Sequence, residues 1–185
     1  MSPPRKYVSP IRAAQAAGTR RRILDAARVC FERAGYAATT LRAIAAEAEV
    51  SAETVNNHGP KRALLFAAFQ QAFAETDGPV QISAHPDLQR ALGIEDLDEF
   101  LAAVLHAVAA AFARSSGIWR ALVAASDVDP AVAADLGAVL AGRRAEFTTL
   151  LHELRRRGMP LPADLSRPTD IALALINHET YRSLV

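Results

Sequence analysis

The 185 residues are 51% hydrophobic with a net charge of +1, so the chain can bury the core of one large domain or two modest ones. Ala and Leu, both strong helix formers, outweigh β-branched and aromatic residues, which predicts an all-α fold. A lone Cys30 excludes an intrachain disulfide and suits a reducing cytoplasm, no apolar run reaches the about 18 uncharged residues of a membrane span, and Met1–Gln15 lacks the apolar stretch of a secretory signal.

The charge is uneven. Residues 1–65 hold 11 Lys/Arg against 5 Asp/Glu, whereas residues 66–185 hold 10 against 15. A basic first third suggests that this part meets a polyanion; a solvated basic face is the alternative.

Residues 1–18, with Pro3, Pro4, Pro10, Gly18, Arg5, Lys6 and Arg12, read as a flexible basic arm. A first helix is expected from Thr19, its cap, to Ala34, with Ile23, Ala27, Cys30 and Ala34 on one stripe and Gly35 as its stop. Thr40 caps a short helix over Leu41–Ala48. A turn at Glu49-Val50 follows, and Ser51 caps a third helix over Ala52–Asn57. Two short helices joined by a tight turn, with Val50 filling the space between them, form a helix-turn-helix. Gly59-Pro60 then breaks the chain and starts a fourth helix, Lys61 to about Thr76, with Leu64, Leu65, Ala68, Phe69 and Phe73 inward.

Residues 77–96 read as a linker with a short helix near Asp87–Leu92. A strongly apolar helix is expected over Glu95–Arg114, and a separate short one carries Ile118, Trp119, Leu122 and Val123. Asp129-Pro130 caps a long helix to Arg157, which Gly158 ends. Ser166 to Pro168 opens a last helical stretch in which the chain ends at Val185.

In a helix-turn-helix the second helix enters the major groove and presents polar side chains to base edges. Here these are Ser51, Ala52, Glu53, Thr54, Asn56 and Asn57. Thr40, Arg42, His58 and Lys61 are placed for phosphates. Ordinary solvent exposure is the alternative for any one of them.

The stretch Arg22-Ile23-Leu24-Asp25-Ala26-Ala27, Phe31, Gly35-Tyr36, Thr39-Thr40-Leu41-Arg42-Ala43-Ile44-Ala45, Ala48, Val50-Ser51, Thr54-Val55, His58 and Lys61-Arg62-Ala63-Leu64-Leu65 resembles the tetracycline-repressor (TetR) family over roughly residues 19–66. The tail Thr180–Val185 resembles C-terminal domains of one branch of that family. The resemblance implies a helix-turn-helix DNA-binding domain at 19–65 and a helical ligand-binding and dimerisation domain at 66–185. It further implies a cytoplasmic homodimer, not an enzyme, bound to a palindromic double-stranded DNA operator. A small-molecule effector would release repression, and the dimer interface would involve Pro130–Arg157 and the segment after Pro168. The chain departs from the family at two places: Asn56 stands where an aromatic is usual, and His58 runs directly into Gly59, one residue short and without the usual Phe.

Phe100, His106, Phe112, Trp119, Phe147 and His152 are candidate lining for a ligand cavity, with a packed core as the alternative. Arg155-Arg156-Arg157 would complement the dipole of its helix and stay solvated. Histidines 58, 85, 106, 152 and 178 show no metal-ligand spacing, so neither a metal nor a cofactor is expected. No phosphate-binding glycine loop, nucleophile elbow or paired-carboxylate pattern is present. Competing readings are a small-molecule-binding or enzymatic helical protein with a degenerate helix-turn-helix, and a helical interaction module.

Overall fold

The computed structural model describes residues 10–75 and 86–185, and every regular element in them is a helix. The order is α1 Pro10–Ala38, α2 Leu41–Glu47, α3 Ala52–Asn57, α4 Lys61–Ala74, α5 Pro86–Leu92, α6 Leu97–Ser126, α7 Pro130–Arg156, α8 Ser166–Leu175 and α9 His178–Leu184.

The N-terminal unit follows its caps. Thr40 accepts from the Ala43 amide at 3.1 Å and Ser51 from the Thr54 amide at 3.0 Å, each satisfying a backbone donor that its helix leaves free. Gly35 takes φ 74, which ends the regular turns of α1. Behind it the buried Thr39 hydroxyl reaches the carbonyls of Cys30 and Gly35, at 3.1 and 2.7 Å. The turn between α2 and α3 closes with Val50 N–H on Ala45 O and Glu49 N–H on Ala46 O, the paired bonds of a Schellman motif. It requires a left-handed residue, and Glu49 fills that place at φ 54. Ile23, Ala27, Cys30, Phe31, Ile44, Val55 and Leu64 are buried between the helices.

α1 starts at Pro10, nine residues before the expected Thr19, so residues 10–18 are not a flexible arm. Proline suits a first helical turn, and the alanines and Gln15 that follow are good helix formers. Residues 1–9 lie outside the described part.

The expected pair of helices around residues 115–117 is one 30-residue helix, α6. Ser115-Ser116-Gly117 looks like a break but continues the spiral. The serine hydroxyls return to carbonyls one turn back, Ala111 at 2.7 Å and Phe112 at 2.6 Å. Gly117 leaves room for the Glu32 side chain of α1: a Cβ there would stand 2.7 Å from its carboxyl carbon. By length and composition α6 is the one described helix that qualifies to cross a membrane. In the fold it is the central helix, packing on α1, α4, α5, α7 and α9 with Phe100, Val108, Phe112, Ile118 and Leu122 buried.

Two further expectations give way. The last stretch is broken at Ile176-Asn177, where Asn177 caps α9 by accepting from the Thr180 amide at 2.9 Å. Arg157 is not solvated: its side chain is fully buried, with its guanidinium 3.8 Å from the Phe100 ring centroid. It donates to Ile94 O at 2.7 Å and Leu92 O at 2.8 Å, and pairs with Glu153. The α5–α6 connection leaves those carbonyls without helical partners, and Arg157 supplies the donors.

Candidate functional site

Thr40, Arg42, Ser51, Asn56 and Asn57 are exposed on the helix-turn-helix, while Thr54 and His58 are half-buried. The caps fix how α2 and α3 enter this face. Because Thr40 and Ser51 use an oxygen lone pair for capping, they keep further hydrogen-bonding capacity for an outside group. The Thr54 hydroxyl lies 2.8 Å from the Ser51 hydroxyl and is oriented by it. His58 closes α3 as its C-cap, and Gly59 at φ 122 makes the abrupt turn into Pro60.

Lys61 is placed differently from the expectation of a simple phosphate contact. Its Nζ donates to Tyr36 O at 2.8 Å and Ala37 O at 3.4 Å, and lies 4.3 Å from the Tyr36 ring centroid. The ammonium therefore closes the end of α1 against the start of α4.

The same corner meets α7. The Tyr36 hydroxyl donates to Asp129 Oδ2 at 3.2 Å, while the other Asp129 oxygen caps α7 through the Ala131 and Val132 amides. Burial pushes the Tyr36 phenol above its usual range, and the hydrogen bond to Asp129 adds to that. Burial also acts to raise Asp129, but its amide, phenol and Arg62 partners outweigh it and hold the carboxyl below the usual range. Arg62 pairs with Asp135 at 3.3 Å, nearly two turns further along α7. α4 and the first turns of α7 are thus tied to the helix-turn-helix unit.

Further along α4 and α7 lies a cavity of about 240 Å³ lined by Phe69, Phe73, Trp119, Val139, Arg143 and His178, among others. The His178 ring is stacked on Trp119, with centroids 4.5 Å apart and planes at 7°, and lies 4.3 Å from Phe112. His178 Nε2 is 3.0 Å from Ser115 Oγ. That hydroxyl already donates to Ala111 O, so it accepts from Nε2–H. Burial, then the positive charge of Arg143, pushes His178 down to about 3, so the ring is neutral and Nδ1 is a bare acceptor. Nδ1 is buried without a hydrogen-bond partner. Arg143 donates to Ile176 O and lies 5.3 Å from the Phe112 centroid and 5.4 Å from that of Phe147, while its Nε is buried without a partner.

The candidate lining residues therefore separate. Trp119 lines the cavity, and Phe112 and Phe147 support it through His178 and Arg143. Phe100 lies under Arg157 at the other end of α6. His106 and His152 are exposed, His152 beside Arg155, because both occupy the outward face of their helices. Sequence reasoning did not select Arg143 or His178. Arg143 had a signal: it falls between Leu136, Val139 and Phe147 on the inward stripe of α7. His178 had none, because its partners come from α4, α6 and α7. Among the described residues no group of three or more His, Cys, Asp or Glu is placed to hold a metal.

Residues 23–69 match the family model for bacterial regulatory proteins of the tetR family. No curated protein matches the chain.

Proposed function

We propose that the chain, whose residues 23–69 match the family model for bacterial regulatory proteins of the tetR family, is a DNA-binding transcription regulator of that kind and a cytoplasmic, ligand-responsive repressor. Residues 19–65 read a palindromic operator, and residues 66–185 sense a small molecule and form a homodimer. The observation that carries this reading is the route taken by α4. It begins at Lys61, against the end of α1, and its Phe69 and Phe73 form a wall of the cavity. A molecule filling the cavity acts on the helix that supports the DNA-reading unit, while Tyr36–Asp129 and Arg62–Asp135 couple that unit to α7.

Base reading falls to Ser51, Thr54, Asn56 and Asn57. Thr40, Arg42, His58 and Lys61 face the backbone, with Lys61 acting mainly by fixing the domain corner. A homodimer is supported by apolar side chains that α7 and α8 leave in solvent: Leu140, Ile171 and Leu175 are 45%, 51% and 63% exposed. The experiment is selection of bound sequences from random double-stranded DNA by the purified full chain. A palindromic consensus is expected, bound by a dimer; recovery of no preferred sequence overturns the reading.

A further inference from the structure

We propose that the cavity between α4, α6, α7 and α9 takes a small aromatic carboxylate, with Arg143 as the group that recognises its charge. This rests on the reading of the cavity as an effector site and names the effector's chemical class. Three observations lead to it.

The first is size. A dry apolar cavity of about 150 Å³ holds benzene, whereas drug-sized ligands occupy about 300–1,000 Å³. At about 240 Å³ the site suits one ring or two fused rings with a small substituent.

The second is the walls. Phe69, Phe73 and Trp119 line the cavity, with Phe69 and Trp119 centroids 5.4 Å apart, and the neutral His178 ring lies parallel to Trp119. Flat, apolar faces favour a flat, apolar body.

The third is charge. Arg143 lines the same cavity as a largely buried cation, and among the described residues no carboxylate forms an ion pair with it. A guanidinium in this position is costly to hold unless something balances it. The Phe112 and Phe147 rings and the Ile176 carbonyl do so in part, and Nε remains without an acceptor. A ligand carboxylate offers acceptor oxygens in the planar arrangement that a guanidinium matches. Glu146 also lines the site, one turn from Arg143. That position makes the sign of the preferred ligand a decisive measurement.

The test uses three probes of nearly equal shape: benzoate, neutral benzamide and cationic benzamidinium. Trp119 is the only tryptophan in the chain, so its fluorescence reports occupancy of the full-length protein without DNA. Benzoate is expected to bind about tenfold tighter than benzamide, the scale of one charge-assisted hydrogen bond over a neutral one. Benzamidinium is expected to bind weakest. Arg143→Gln should abolish the preference and Arg143→Lys should keep part of it, with thermal unfolding confirming that both fold. Equal binding of benzoate and benzamide by the unmodified protein, or tightest binding of benzamidinium, overturns the assignment and needs no variant. A benzoate preference supports it. If benzoate binds with that preference yet leaves selected operator DNA bound, the assignment stands and the proposed ligand response fails.

Discussion

The Tyr36 hydroxyl donates to Asp129 at 3.2 Å across 93 residues of sequence, joining the end of α1 to the capping residue of α7. Tyr36→Phe removes that bond and leaves the ring on Phe31 and Lys61. It should cost about 1 kcal/mol, the net worth of a single hydrogen bond. Asp129→Ala should cost more, because the α7 cap is lost as well. Urea unfolding midpoints check both. Equal losses would mean that the Tyr36 link carries most of the effect and the cap little.

His178 gives a pH dependence with a definite sign. Its folded value, about 3, lies below the ordinary 6.5, so the unfolded chain takes up a proton that the folded one refuses. Its contribution is fully present above 6.5 and is lost as pH falls towards 3, at about 1.4 kcal/mol per pH unit inside that window. Carboxylates add their own loss in acid, so the informative quantity is a difference. His178→Gln should lose less stability than the unmodified chain between pH 6.5 and 4.5 in chemical denaturation. Parallel stability–pH curves would contradict the burial of a neutral ring.

The left-handed Glu49 at φ 54 is a correctable strain. Glu49→Gly should stabilise the protein by about 0.5–1 kcal/mol, the relief of the side-chain clash exceeding the extra freedom of the unfolded chain. Glu49→Val should destabilise it. Differential scanning calorimetry distinguishes the two directions.

On DNA, Asn57→Ala should relax preference at one base position, whereas Arg42→Ala should weaken binding to all sequences and lower the salt slope by about one. Lys61→Ala should lower both affinity and melting temperature, because its ammonium also closes α1. Binding isotherms at several salt concentrations, paired with melts, separate these roles. Unchanged melting for Lys61→Ala would restore it to a purely DNA-facing role.

Much of this was readable from local chemistry. Thr40, Ser51, Asp129, Gly35 and Gly158 act within a few residues of themselves, so caps and stops fix α2, α3 and α7 nearly to the residue. The helix-turn-helix is legible because its candidate contacts lie on consecutive short helices. Ser115-Ser116-Gly117 misleads because the serine hydroxyls return to carbonyls of their own helix and Gly117 faces the Glu32 side chain. Arg157 misleads in another way. A charged side chain reads as solvated until carbonyls from the α5–α6 connection arrive from far along the chain. The cavity is assembled by such distant meetings, and His178 reaches Ser115 across 63 residues.

Cys30 has a practical consequence. The chain's one thiol is 2% exposed inside the DNA-reading unit, and burial, with Glu47 adding to it, raises its pKa and suppresses the thiolate. Alkylating reagents can reach it only when α1 parts from its neighbours. The rate of maleimide uptake is therefore a stopwatch for local opening of that unit, to be read with and without DNA on the same unmodified protein.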